Sequence, residues 1–297
     1  MLDIQPFIDY LQKEKRSSNH TVIAYQGDLT HFVTYMKDAL EIDDLSKVTA
    51  NDIRTWILTL LEDDQNSGRT VTRKLSSLKA FYKYELKMGK ITSNPMNIIQ
   101  APSYKKRLPV YVEQKDMEKL FNSELFPDSF EGLRDQTIIE MFYATGIRLS
   151  EMLNIQHQDI NFAEKSIKVL GKRNKERIIP FGNHLSELLT KYLEYYQKNI
   201  VEGNKNNYIF VTGNGKKLYP KAVYRIVRKY LDMVTTIDKR SPHVIRHTFA
   251  THMLNNGADL NAIKEILGHS SLAATQVYTH NSIEQLKSIY KQAHPRA

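Results

Sequence analysis

The feature that most limits how this chain can fold is a break in its helical periodicity. Between Asn94 and Pro109 the return of apolar side chains every three or four residues stops. Asn94-Pro95 closes the region before it, and Pro102 and Pro109 flank a basic stretch containing Lys105, Lys106 and Arg107. Proline removes a backbone donor and clashes with the preceding turn, so no helix runs through this segment. It reads as a linker at 102–111 between one domain at 1–101 and another at 112–297. Before the break, NHTVIAYQGDLTHFVTYMK places Val22, Tyr25, Leu29, Phe32 or Val33, and Met36 on one helical stripe. VTRKLSSLKAFYKYELKMG does the same with Val71, Leu75, Leu78, Tyr82 and Leu86 and stops at Gly89, and NDIRTWILTLLEDD supplies a shorter helix between them. After the break the pattern is again helical, interrupted by KSIKVL and ERIIPF around a polar turn with Gly171 and Asn174, which is a hairpin signature. YIFVT near Tyr208 reads as a third short strand. The expected fold is mainly α and two-domain, an all-helical N-terminal part and a mostly helical C-terminal part with a small sheet.

Composition narrows the partners. With 41% hydrophobic and 25% charged residues in 297, the chain has material for two cores. No apolar run approaches the ~18 to 20 residues that span a bilayer. The N-terminus MLDIQPFIDYLQKEK lacks a signal peptide's basic start and apolar stretch, so the expected location is the cytoplasm, with no membrane partner. The absence of cysteine removes disulfides, thiolate metal sites and a cysteine nucleophile. The net charge of +9 is unevenly placed: residues 1–100 hold 13 basic and 13 acidic groups, so the excess lies beyond them. Within the first part, Arg69 to Lys90 carries Arg69, Arg73, Lys74, Lys79, Lys83, Lys87 and Lys90 against Glu85 alone. A polyanion is the natural partner of such a helix face, and a merely solvated surface is the alternative.

The reactive side chains come in a fixed order: Arg148 in ATGIRLSEML, Lys172 in GKRNKERIIP, His243 and Arg246 in SPHVIRHTFATHML, His269 and Tyr278 in EILGHSSLAATQVYTH. Ser241-Pro242 is a helix start, with an N-cap serine and proline at the first helical position. His243 and Arg246 then lie three residues apart near the positive end of that helix, where an anion can sit. Asp259 opens a further helix that ends at Gly268 and leaves His269 in the following turn. Singly, each residue has a plainer reading. Tyr278 is one of 17 tyrosines, Arg148 can be a surface arginine, and Lys172 a solvated turn residue. His243, His247 and His252 do not make a metal site, because no carboxylate completes a His-Glu-x-x-His pattern; His247 and His252 read as packing or capping residues.

As an ordered set the six are far more specific, and with RKLSSLKAFYKYELKMGKITSNP and the terminal HPRA the chain resembles the tyrosine recombinase (phage integrase) family, most closely the bacterial Xer recombinases. The resemblance covers nearly the full length and implies a helical core-binding, SAM-like domain followed by a catalytic domain, without a further N-terminal module. The family's catalytic residues map onto Arg148, Lys172, His243, Arg246, His269 and Tyr278. The one departure noted, Ile245 where leucine is commoner, is an apolar exchange without chemical consequence. The implied chemistry suits the residue types. A phenol of pKa ~10 needs a proton acceptor, which His243 can be, and Arg148 and Arg246 can hold the phosphate oxygens. Lys172 can protonate the leaving 5′ oxygen and His269 can hydrogen-bond the phosphate. Tyr278 would end joined to the 3′ phosphate, with no cofactor, metal or ATP required.

The resemblance further implies double-stranded DNA with a short, partly palindromic site as substrate, and a homo- or hetero-tetramer on two such sites, with a paralogous recombinase as one form of pairing. It also implies chromosome-dimer resolution at a dif-like site and a DNA translocase as activator. An integrase of a phage or conjugative element, a type IB topoisomerase, and an accessory DNA-binding protein without catalysis are the competing readings. DNA contacts are expected from Arg69, Arg73, Lys74, Lys79, Lys83, Lys105, Lys106 and Arg107. The tail 282–297, with Ile283, Leu286 and Ile289, is expected to form a helix exchanged between protomers, the alternative being a tail folded onto its own domain.

Overall fold

The computed structural model describes residues 3–62, 66–103, 110–121, 123–171, 176–199, 207–268 and 280–297. Lys105, Lys106, Arg107, Lys172, His269 and Tyr278 lie outside them. The chain forms two compact units, Met1–Arg107 and Leu108–Ala297.

The first unit is built from α1 (Gln5–Lys13), α2 (Asn19–Leu40), α3 (Ala50–Glu62) and α4 (Gly68–Lys87). Serines start the two long helices. Ser18 accepts from the Thr21 amide and Ser67 from the Thr70 amide, satisfying donors that a helix start leaves open. The stripes predicted for α2 and α4 enter one core with Trp56, in which Leu29, Phe32, Met36, Val71, Leu78, Phe81 and Tyr82 are buried. Burial of such side chains contributes about 2 kcal/mol each. Leu86 departs from the expected stripe and is 40% exposed, because in the last turn of α4 Glu85 faces inward, with Lys90 3.4 Å from its carboxylate.

The second unit packs around α6 (Phe130–Thr145), which is buried on nearly every side. Its charged residues are buried with partners: Arg134 donates to Asp135 at 2.8 Å, and Glu140 accepts from Arg296. α5 (Gln114–Leu120) precedes it, and the one-turn helix α7 (Leu149–Met152) follows it. Next come β1 (Ile160–Asn161), β2 (Ser166–Leu170) and β3 (Glu176–Pro180), an antiparallel sheet in that order, with Arg177 opposite Val169. β2 and β3 are the predicted hairpin. The third strand is β1 and not YIFVT, which makes only isolated bridges at Gln156–Tyr208 and Val211–Lys217. The chain there meets single residues of separate loops and never a strand long enough to continue a ladder.

α8 (Asn183–Asn199), α9 (Pro220–Val234), α10 (Pro242–Asn255), α11 (Leu260–Leu267) and α12 (His280–Ala293) complete the unit. α12 lies against its own unit: Leu286, Tyr290 and Ala293 enter the core, and Asn256 donates to the Ala293 carbonyl at 2.8 Å. Beyond it, His294 donates to the Tyr143 carbonyl at 3.0 Å, and Arg296 donates to the buried Glu140 carboxylate at 2.9 Å. No helix among the described residues is long and apolar enough to cross a membrane.

Candidate active site

The end of α11 gathers three arginines. α10 begins as predicted, with the Ser241 hydroxyl accepting from the Val244 amide and Pro242 at the start. Asp259 caps α11 by accepting from the Asn261 and Ala262 amides, and Gly268 ends it at φ +64°. A helix terminus leaves its last carbonyls unpaired and partially negative. Here guanidiniums take three in succession: Arg177 Nε donates to Ile266 O at 2.8 Å, Arg246 Nη2 to Leu267 O at 2.7 Å, and Arg148 Nη2 to Gly268 O at 3.0 Å. Arg246 also donates to the carbonyl of Gly146, the residue that ends α6 at φ +57°. Gly146 admits no side chain, since a Cβ there would meet the Phe249 ring at 2.5 Å.

Glu151 binds this cluster together. Its Oε1 accepts from Arg148 Nη1 and Arg177 Nη1, and its Oε2 from the Arg148 amide and Arg177 Nη2, at 2.8 to 2.9 Å throughout. Four donors fill a carboxylate's acceptor capacity. Burial alone pushes the Glu151 carboxyl up, but Arg177 and then Arg148 outweigh that and hold its pKa at about 2. Arg246 is lowered to about 9 by burial and by the nearby Arg148 and Arg177 charges, and so remains protonated at neutral pH.

The two α10 residues differ in burial though they lie one turn apart. Arg246 is buried at 6% exposure and is engaged with backbone carbonyls, whereas His243 is exposed one turn earlier, its ring edge-on to His247 at 4.9 Å. Partial burial, then His247 and Arg246, lower the pKa of His243, so the imidazole is neutral near pH 7 and able to accept a proton. His252 is buried with Nδ1 2.9 Å from the Tyr143 hydroxyl, a packing role. Among the described residues no group of His, Asp and Glu is arranged to hold a metal ion.

On α4, Arg69, Arg73 and Lys83, with Lys87, recur on one exposed stripe bordered by Lys79, while Lys74 turns aside, 5.9 Å from the Trp56 ring. Arg73 is paired with the buried Asp28, which also accepts from Ser77 at 2.8 Å. Two groups escaped the sequence reading. Glu151 stands three residues after Arg148, the spacing of a capping box, and Arg177 stands at an inward position of β3 where an apolar residue is usual. A second basic face escaped it as well. α9 buries Val223, Ile226, Val227, Tyr230 and Leu231, and exposes Lys221, Tyr224, Arg225 and Arg228 at i, i+3, i+4 and i+7. Arg225 is steadied by the Tyr219 hydroxyl at 2.8 Å.

Comparison with known proteins identifies the family of the chain. The phage integrase family matches residues 110–285, and the N-terminal SAM-like domain of phage integrases matches residues 4–89. The chain is 36% identical over 318 residues to tyrosine recombinase XerC of Chlorobaculum parvum, covering 99% of this chain and 94% of that one. It is 34% identical over 297 residues to tyrosine recombinase XerD of Staphylococcus epidermidis, covering 99% of each. Among solved structures, XerH site-specific recombinase bound to palindromic difH substrate in a post-cleavage complex superposes with a TM-score of 0.73 at 19% identity, covering 99% of this chain and 82% of that one.

Proposed function

We propose, from the premise that this chain belongs to the phage integrase family and is a tyrosine recombinase that breaks and rejoins DNA, that Arg148, Lys172, His243, Arg246, His269 and Tyr278 carry the reaction, with Tyr278 as nucleophile. The observation that supports this best is the convergence of Arg148 and Arg246 on the last carbonyls of α11, immediately before His269 in the sequence. Two guanidiniums tied to one helix end form a preorganised cationic seat for a phosphate, and they offset the charge that builds on a pentacoordinate phosphorus.

His243 takes the phenol proton as the Tyr278 oxygen attacks phosphorus. The bond from phosphorus to the 5′ oxygen breaks, and Lys172 protonates that oxygen. The product is a 3′-phosphotyrosyl enzyme with a free 5′ hydroxyl. The reverse attack, by a 5′ hydroxyl from a second duplex, rejoins the strands and returns the proton to Tyr278. The phosphodiester energy is retained in the adduct, so neither ATP nor a metal enters the balance.

The substrate is a short, partly palindromic duplex site, held along the exposed stripe of Arg69, Arg73, Lys79 and Lys83, with Lys74 beside that stripe and Lys105, Lys106 and Arg107 beyond it in the sequence adding further contacts. Lys221, Arg225 and Arg228 of α9 form a second contact. Relatives named XerC and XerD match at 36% and 34% identity over nearly the whole chain. That supports a cytoplasmic, nucleoid-associated role in resolving chromosome dimers at a dif-like site, as a tetramer on two sites, with a paralogue as partner and a DNA translocase as activator.

Trapping on a nicked suicide substrate tests the chemistry. Wild-type protein forms a denaturant-stable adduct in the presence of EDTA, and Tyr278→Phe binds the same DNA without forming it. An adduct from the phenylalanine variant, or one abolished by EDTA, overturns this assignment.

A further inference from the structure

The four hydrogen bonds on Glu151 come equally from two arginines that differ in what else they do. Arg177 is 5% exposed and gives Glu151 a two-pronged fork, both contacts at 2.8 Å, while its Nε ties the Ile266 carbonyl. Arg148 gives Glu151 only one guanidinium nitrogen, sends the other to the Gly268 carbonyl, and keeps about a third of its side chain exposed. A carboxylate of this kind, left alone with Arg148 three residues away, would take the guanidinium in the same bidentate way, because that geometry is the strongest available to the pair. It would then neutralise the cation a phosphate needs. Arg177 already occupies the bidentate position.

We infer that Arg177 is a positioning residue for strand cleavage: by saturating Glu151 and pinning the Ile266 carbonyl, it stops Glu151 from sequestering Arg148 and keeps that guanidinium beside the end of α11. This rests on the recombinase reading and extends it to a residue that touches no reacting atom. The charges agree with it. Arg148 and Arg177 share one carboxylate and Arg246 lies nearby on backbone carbonyls, leaving the cluster net positive before DNA arrives. Removing Arg177 leaves Arg148 and Glu151 as a self-satisfied pair. The same strand begins four residues after Lys172, so Arg177 also links the hairpin to α7 and α11.

The test is single-turnover cleavage of matched suicide substrates, one with an ordinary scissile phosphate and one with an uncharged methylphosphonate there. Relative to wild type, Arg177→Met should cleave the phosphate about 10- to 100-fold more slowly, the usual effect of losing a supporting group, with DNA affinity within about 3-fold. On the methylphosphonate the deficit should shrink to within about 3-fold, since a neutral linkage needs no Arg148 charge. Glu151→Gln added to Arg177→Met should restore part of the phosphate rate, because an amide cannot sequester Arg148 as a carboxylate does. Arg177→Lys keeps a buried cation without the fork, and should show the same substrate dependence if the methionine variant does not fold. Equal slowing of both substrates, or an undiminished phosphate rate, overturns the inference. A wild-type protein that forms no adduct overturns the recombinase reading instead.

Discussion

Glu151 sets an acid limit on the second unit. Its pKa near 2 in the fold lies below the 4.5 of a free glutamate, so its ionised form stabilises the native state. For a depressed pKa the contribution is fully present above about pH 4.5 and is lost as pH falls through the folded value near 2. The size follows from the shift, about 3 kcal/mol for a group only 4% exposed. Glu151→Gln should therefore unfold at lower urea concentration than wild type at pH 6, and the gap should close as the titration is carried down towards pH 2. A gap independent of pH would show that the carboxylate's charge is not what stabilises the cluster. The neighbouring Gly146 illustrates a second kind of constraint. Its left-handed φ of +57° and the Phe249 ring beside it exclude any side chain, and its carbonyl is one that Arg246 needs.

At the scale of the element, α9 divides sharply between faces, with its apolar side in the core and its basic side in solvent. Lys221, Arg225 and Arg228 share that outer stripe with Tyr224, and Asp232 lies one turn on, 3.8 Å from Arg228. If the stripe lies along DNA, each cation that meets a phosphate displaces about one counterion. Replacing Lys221 and Arg225 with glutamine should weaken DNA binding and flatten the dependence of log affinity on log salt, by about 1 for each phosphate no longer neutralised, without altering unfolding. Filter binding or fluorescence anisotropy across a salt series reads this directly. An unchanged slope would assign the face to solvent. α11 shows the converse case, in which the end of a short helix gathers its polar partners, because the carbonyls there have no partner within the helix.

For the molecule as a whole, the C-terminal residues close the second unit. Arg296 reaches the buried Glu140, its guanidinium lies 4.2 Å from the Phe121 ring centroid, and His294 stacks on Tyr290 at 4.8 Å. Burial pushes Glu140 up to about 7 although Arg296 acts against it. A group raised in this way favours the fold most below its free pKa of 4.5, and that advantage is lost as pH rises through about 7, so Arg296 matters most in alkaline solution. Arg296→Ala should destabilise the protein by about 3 kcal/mol at pH 8, where a buried carboxylate loses its partner, and by clearly less at pH 5. Denaturant titrations at the two pH values decide it, and equal losses would place the effect in packing alone. The tail exchange that the resemblance implies for 282–297 has the same energetic consequence, since a tail that left this seat would strip Glu140 of its only cationic hydrogen-bond donor among the described residues.

What the sequence determined by itself is what neighbours in the chain determine. Ser241 with Pro242, Asp259, and Gly268 mark helix ends because a cap is satisfied within four residues, and the alternation in KSIKVL and ERIIPF specifies a hairpin because period two needs no distant partner. The ordered reactive residues pointed to the family for a related reason, since spacing survives in the sequence whatever the fold does. Tertiary structure alone decided the rest. Glu151 and Arg177 stand 26 residues apart, and Arg148 and Gly268 120 apart, so no local pattern reveals that they meet. The same holds for YIFVT, whose strand-like composition lost to the absence of a ladder to join, and for Arg246, which a helical wheel aligns with His243 but which packing buries. Hydrogen bonds to a helix's last carbonyls are made by whichever donors the fold delivers there, and delivery depends on the packing of α6, α10 and β3 around one core.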